Sequence, residues 1–192
     1  MRIGIFSGSF NPIHMGHLML ASYYVEYGAF DEVWMLVSPH NPLRERVSAH
    51  NDHHRCAMVE LALQNVSGVK FCDIEFSLPQ PSYTIHTLDA LHHRYPEHDF
   101  SLIVGADNWL IFDRWYQPDR IINEYSVCIY PRRGYEVNVE ALPPRVSYVE
   151  APLVELSSTW VRQAVAEGRN VSAFLPYGVY NYIKENNLYQ TI

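Results

Sequence analysis

Apolar and polar positions alternate between two regimes along this chain. Short apolar runs of five to seven residues recur, separated by stretches long enough for a helix. Arg2 to Phe6, Glu32 to Ser38, Val69 to Ile74, Phe100 to Val104 and Ser126 to Tyr130 read as strands, and Arg145 to Val149 as a sixth. Between them, Gly16 to Tyr27, Asp52 to Asn65 and Thr84 to Tyr95 read as helices, the second with apolar positions at Met58, Leu61 and Ala62. A short helical stretch is expected near Pro118 to Asn123, and two helices close the chain near Ser158 to Glu167 and Pro176 to Asn186. Strands joined through helix-length segments pair in parallel, so the expected fold is α/β, a Rossmann-like three-layer open parallel sheet with C-terminal helices. In such sheets ligands bind beyond the carboxyl ends of the strands, where strand order reverses. Strands one and four are expected to be neighbours there, which brings Gly105-Ala106-Asp107 close to Ser7-Gly8-Ser9.

Composition narrows the class. At 192 residues the chain is expected to form a single domain over 1–192. No apolar span is long enough to cross a membrane. The first residues enter a strand without a basic segment and cleavage site, and Cys56, Cys72 and Cys128 form no C-x-x-C pair, so a reduced, cytoplasmic protein is expected. The net charge of −7 and the lack of a Lys/Arg run disfavour long nucleic acid as a partner. A small phosphorylated ligand needs only a few local cations. The histidine groups His50/His53/His54 and His92/His93 lack the accompanying Cys or carboxylate spacing of a metal site and read as helix surface. The loop Gly134 to Pro144 is the best candidate for a mobile segment.

The chemistry concentrates where the first strand turns into the first helix, at Gly8-Ser9-Phe10-Asn11-Pro12-Ile13-His14-Met15-Gly16-His17. A strand-to-helix turn offers free N–H groups and the positive end of a helix dipole to an anion. Two imidazoles beside it can donate hydrogen bonds to a polyphosphate. A second device lies near the carboxyl end. In Leu156-Ser157-Ser158-Thr159-Trp160-Val161-Arg162, Ser157 or Ser158 is a good N-cap, and Arg162 shares the face of the first turn. Plain capping with a solvated arginine explains that segment taken alone.

Together the two segments resemble the nucleotidyltransferase superfamily, whose H-x-G-H core is related to the HIGH motif of class I aminoacyl-tRNA synthetases and whose second motif is I-S-S-T-x-x-R. Further segments, Pro81-Ser82-Tyr83-Thr84, Gly105-Ala106-Asp107-Asn108-Trp109, Trp115-Tyr116, Arg132-Arg133-Gly134-Tyr135 and Leu175-Pro176-Tyr177-Gly178, make the chain similar over nearly its full length to the bacterial nicotinate-nucleotide adenylyltransferases. The resemblance implies transfer of AMP from ATP to nicotinate mononucleotide, giving nicotinate adenine dinucleotide and pyrophosphate, with Mg²⁺ carried mainly by the ATP phosphates and no protein metal ligands. It implies that His14, His17 and Arg162 are catalytic, and that Gly8, Ser9, Phe10, Ser158 and Thr159 join them in binding ATP. The mononucleotide falls to Arg44, Thr84, Asp107, Trp115, Tyr116 and Arg133, with Trp115 packing on the ring and Thr84 and Tyr116 giving backbone N–H groups to the carboxylate. One segment departs from the family: Pro39-His40-Asn41-Pro42-Leu43-Arg44 stands where Pro-Pro-His-Lys is frequent, so Arg44 takes the place of the cation and His40 receives no role. Another H-x-G-H enzyme, such as a pantetheine-phosphate adenylyltransferase, and a non-catalytic nucleotide sensor are the alternatives. Homo-oligomerisation is left open.

Overall fold

The computed structural model describes residues 1–28, 30–39 and 52–190. Its centre is a six-stranded parallel sheet: β1 (Arg2–Gly8), β2 (Glu32–Val37), β3 (Val69–Cys72), β4 (Asp99–Gly105), β5 (Ser126–Tyr130) and β6 (Val146–Tyr148), in the order β3-β2-β1-β4-β5-β6. The order reverses between β1 and β4, as expected. Arg2 pairs with Asp99 and Ile5 with Leu102, so the loops leaving both strands emerge at one edge.

Alternation along the strands builds two cores. In β2, Val33, Met35 and Val37 face one layer while Trp34 and Leu36 face the other. In β5, Cys128 and Tyr130 oppose Val127 and Ile129 in the same way. The first layer holds α1 (Met15–Glu26), α2 (Asp52–Leu63), α6 (Ser158–Ala166) and α7 (Val179–Glu185), which bury Tyr24, Met58, Val161 and Ile183 against the sheet. The second holds α3 (Thr84–Arg94) and α5 (Pro118–Glu124), through Ile85, Leu88, Leu91 and Ile121. Each such side chain, taken fully out of water, contributes about 2 kcal/mol.

Most boundaries fall within two residues of expectation. The third strand ends early: Cys72 is its last residue and Ile74–Ser77 winds into a 3-10 turn, with Glu75 drawn inward. The last helix begins at Val179, because Gly178 holds a left-handed φ of 80°. A short helix, α4 (Ala106–Trp109), follows β4 directly, an element the sequence pattern does not suggest. Among the described residues no helix is long and apolar enough to cross a membrane. The three cysteines carry free thiols.

Candidate active site

The loop after β1 is shaped by close approach. A Cβ on Gly8 would stand 3.0 Å from the Phe10 ring, and one on Gly16 would stand 3.1 Å from the His14 imidazole. Glycine at these two positions lets both rings fold back over the turn. Phe10 is buried at a left-handed φ of 42°, its ring edge-on to His17 at 5.0 Å.

His14 is the residue that opens α1, and His17 sits in the first turn. Their imidazoles stack, with centroids 3.6 Å apart and planes 19° from parallel. The backbone N–H of His14 donates to His17 Nδ1 at 3.2 Å. In a neutral ring that leaves the proton on His17 Nε2, a fixed donor. Burial, helped by the positive charge of Arg132, pulls the His14 pKa from 6.5 down to about 4. Burial also drives His17 well below its ordinary value, with His14 and Arg132 adding to the effect. Both rings are therefore neutral hydrogen-bonding groups at pH 7.

The second motif closes on the first. Ser157 caps α6, its Oγ accepting the Trp160 N–H at 3.1 Å. That frees Ser158, whose Oγ donates to the Pro12 carbonyl at 2.9 Å. Arg162 donates to the Asn11 carbonyl at 2.8 Å and to Thr159 Oγ1 at 3.3 Å. Two further side chains brace the loop: Tyr189 donates to Asn11 Oδ1 at 2.6 Å, and the wholly buried Arg55 donates to the carbonyls of Ser9 and Ser38 at 2.7 and 2.9 Å.

The two motifs line one cleft of about 1010 Å³ at the carboxyl edge of the sheet. Gly8, Ser9, Phe10, His14, His17, Ser158, Thr159 and Arg162 share its walls with Thr84, Asp107, Trp115, Tyr116 and Arg133. Thr84 is the first residue of α3, where its N–H has no helical partner. Trp115 lies against Phe112, centroids 4.9 Å apart, with its indole N–H buried and unpaired among the described residues. Tyr116 packs on Tyr83 at 4.6 Å. Arg44 and His40 lie outside the described residues, as does His50.

The arginine pair divides its work in a way that spacing could not foretell. Arg133 forms a double hydrogen bond with Glu155 on the open rim, where it is 77% exposed. Arg132 turns inward: it stands over the Tyr130 ring, donates to Tyr130 Oη at 3.1 Å, and sets its Nε 3.6 Å from Asp107 Oδ1. Neither of those last two atoms has a hydrogen-bond partner among the described residues, although both are buried. Arg132 was not singled out as a site residue. The only signal was its place in the Arg-Arg pair, and a one-residue choice within it depends on the backbone.

Among the described residues no group of three or more His, Cys, Asp or Glu stands close enough to hold a metal ion. His54 Nδ1 instead lies 2.9 Å from Tyr182 Oη, and His92 and His93 occupy the last turn of α3.

The cytidylyltransferase-like family matches residues 5–164. A protein of Bacteroides thetaiotaomicron named "Probable nicotinate-nucleotide adenylyltransferase" is 51% identical over 96% of this chain and 92% of its own. One of the same name from Flavobacterium johnsoniae is 43% identical over 99% and 100%. The solved structure of Plasmodium falciparum nicotinic acid mononucleotide adenylyltransferase complexed with NaAD superposes with a TM-score of 0.79 at 18% identity, over 98% of this chain and 97% of that one, a likeness of fold. With both motifs converging on one cleft and near-full-length relatives at this identity, the chain belongs to the nicotinate-nucleotide adenylyltransferases of the cytidylyltransferase-like family.

Proposed function

We propose that this chain, as one 192-residue catalytic domain, transfers AMP from ATP to nicotinate mononucleotide, releasing pyrophosphate. One observation carries the reading: the His14/His17 turn and the Ser158/Thr159/Arg162 turn are hydrogen-bonded to each other and face the same cleft. A phosphate oxygen of the mononucleotide attacks the α-phosphorus of ATP, that oxygen–phosphorus bond forms, and the bond to the pyrophosphate oxygen breaks. The nucleophile is already anionic, so no base is needed, and the work is alignment and charge stabilisation. Mg²⁺ enters with ATP as part of the substrate, held by its phosphates.

His17 Nε2–H and the His14 ring donate to the phosphate oxygens on which charge builds. Their neutrality suits them to hydrogen bonding rather than to proton transfer. The N–H groups of Gly8, Ser9 and Phe10 face the α-phosphate, while Ser158, Thr159 and Arg162 hold the β and γ phosphates. Arg132 supplies a positive charge that acts on both imidazoles. Trp115 packs on the pyridine ring, the Thr84 and Tyr116 N–H groups receive its carboxylate, and Asp107 meets a ribose hydroxyl. Arg133 and Arg44 complete the mononucleotide's phosphate environment.

Pyrophosphate release from ATP, measured in parallel with nicotinate mononucleotide, nicotinamide mononucleotide and phosphopantetheine, tests the assignment. Turnover with nicotinate mononucleotide in clear excess over the other two is expected. Faster turnover with phosphopantetheine, or ATP binding without pyrophosphate in any mixture, would overturn it.

A further inference from the structure

Glu75 is the buried acid that the mechanism leaves unused. It is 5% exposed, and no Lys, Arg or His among the described residues pairs with it. Its partners are hydroxyls from three separate segments. Ser38, just past β2, donates to Oε2 at 2.6 Å; Ser82, in the loop before α3, donates to Oε2 at 3.3 Å; Thr87, in the first turns of α3, donates to Oε1 at 3.1 Å. Ser38 Oγ in turn lies 3.0 Å from Ser7 Oγ, near the end of β1. One carboxylate therefore ties the ends of β1 and β2 to the start of α3. Burying an acid without a cation is unfavourable compared with an apolar side chain of equal size. Its return here is a fixed position for the amino end of α3, whose dipole also favours the negative charge.

Resting on the proposed adenylyl transfer, we infer that Glu75 is a positioning residue for the mononucleotide: it sets the place of the Thr84 N–H and of the Tyr83–Tyr116 pair relative to the β1 loop. Glu75, Ser82, Tyr83, Thr84, Trp115 and Tyr116 all line the cleft, and among the described residues the hydroxyls that bind Glu75 are those of Ser38, Ser82 and Thr87, not those of Ser158 or Thr159 beside Arg162. Glutamine can replace the acid in this role. Its oxygen accepts from Ser38 and Ser82 while its amide donates to Thr87 Oγ1, whose own proton then turns to the Tyr83 carbonyl, 3.4 Å away.

The test varies each substrate separately in wild type, Glu75→Ala, Glu75→Gln and Ser82→Ala. Wild-type formation of the dinucleotide checks the underlying activity by itself; its absence counts against the function, not against the architecture. In Glu75→Ala the KM for nicotinate mononucleotide is expected to rise about 10-fold or more, with the KM for ATP within about 2-fold, because displacement of a positioning group by a fraction of an ångström is enough for such a loss. Glu75→Gln should restore most of it. Ser82→Ala, which removes one tie and leaves the acid solvated by the others, should show the same selectivity at smaller amplitude and answers the question should Glu75→Ala not fold. Equal rises for both substrates, or an unchanged mononucleotide KM in Glu75→Ala or Ser82→Ala, would overturn the assignment.

Discussion

Arg162 donates to the backbone carbonyl of Asn11 at 2.8 Å across 151 residues of chain. The bond means that the guanidinium is not a free surface cation: one N–H is committed to the turn that carries the histidines and a second to Thr159 Oγ1, while the residue lines the cleft. Arginine has five donors in a fixed fork and lysine a single ammonium, so the two tasks cannot both be kept on substitution.

Arg162→Lys is therefore expected to lower kcat/KM for ATP by about 10- to 100-fold, in the range seen when a charge-assisted phosphate contact is lost. Steady-state kinetics with ATP varied at saturating mononucleotide checks this. Retention of wild-type kcat/KM would show that only the charge matters.

Replacing His17 by Ala is expected to reduce kcat by about 100-fold or more with little change in the KM for ATP, as removal of one transition-state donor does. His17→Gln, which can offer an N–H from a similar distance, should recover part of that loss. A kcat near wild type in His17→Ala would remove the imidazole from the mechanism.

The sheet was legible because alternation and helix-length spacers are local signals, and a parallel arrangement follows from them with few alternatives. The shape of the H-x-G-H loop was legible for the same reason: its glycines and histidines pack on one another within ten residues. What escaped depends on three-dimensional neighbours. Glu75 reads as an ordinary charged residue after a strand; only the hydroxyls of Ser38, Ser82 and Thr87, from other segments, make it a buried tie. Arg132 and Arg133 are interchangeable in sequence, and the bridge from Arg133 to Glu155 separates them in space. Ser157 and Ser158 both suit an N-cap, and the choice between them turns on the Pro12 carbonyl, far away in sequence.

That separation gives a direct comparison. Arg132→Ala should lower kcat/KM substantially more than Arg133→Ala, by about 10-fold, because the Arg132 charge acts on the imidazoles and its Nε is buried beside Asp107, while Arg133 is held by a carboxylate at the solvent rim. Kinetics of the two single variants side by side decide it, and a larger loss in Arg133→Ala would make the rim arginine the more important of the two.

Trp115→Ala is expected to weaken the pyridine substrate more than ATP. The indole lies tilted over Phe112 at 4.9 Å and lines the cleft as Thr84 does, so it is held rigid for a second aromatic ring. A rise of about 10-fold or more in the KM for the mononucleotide, against about 2-fold for ATP, is the anticipated result. Equal rises for the two substrates would argue that the indole serves packing alone.

The unliganded protein should lose stability on mild acidification because of the histidine pair. His14 binds its proton at about pH 4 in the folded chain and near 6.5 when unfolded, and His17 is displaced in the same direction. Between those values the unfolded chain takes up protons that the folded one refuses, so unfolding becomes easier as pH falls. The histidine contribution is fully present above pH 6.5 and is lost progressively down to about pH 4. Thermal unfolding without nucleotide should therefore show Tm decreasing from pH 7 to pH 4.5, and His14→Asn, which cannot be protonated, should flatten that decrease even if its Tm at pH 7 is lower. A Tm as steeply pH-dependent in His14→Asn as in wild type would place the acid sensitivity elsewhere in the molecule.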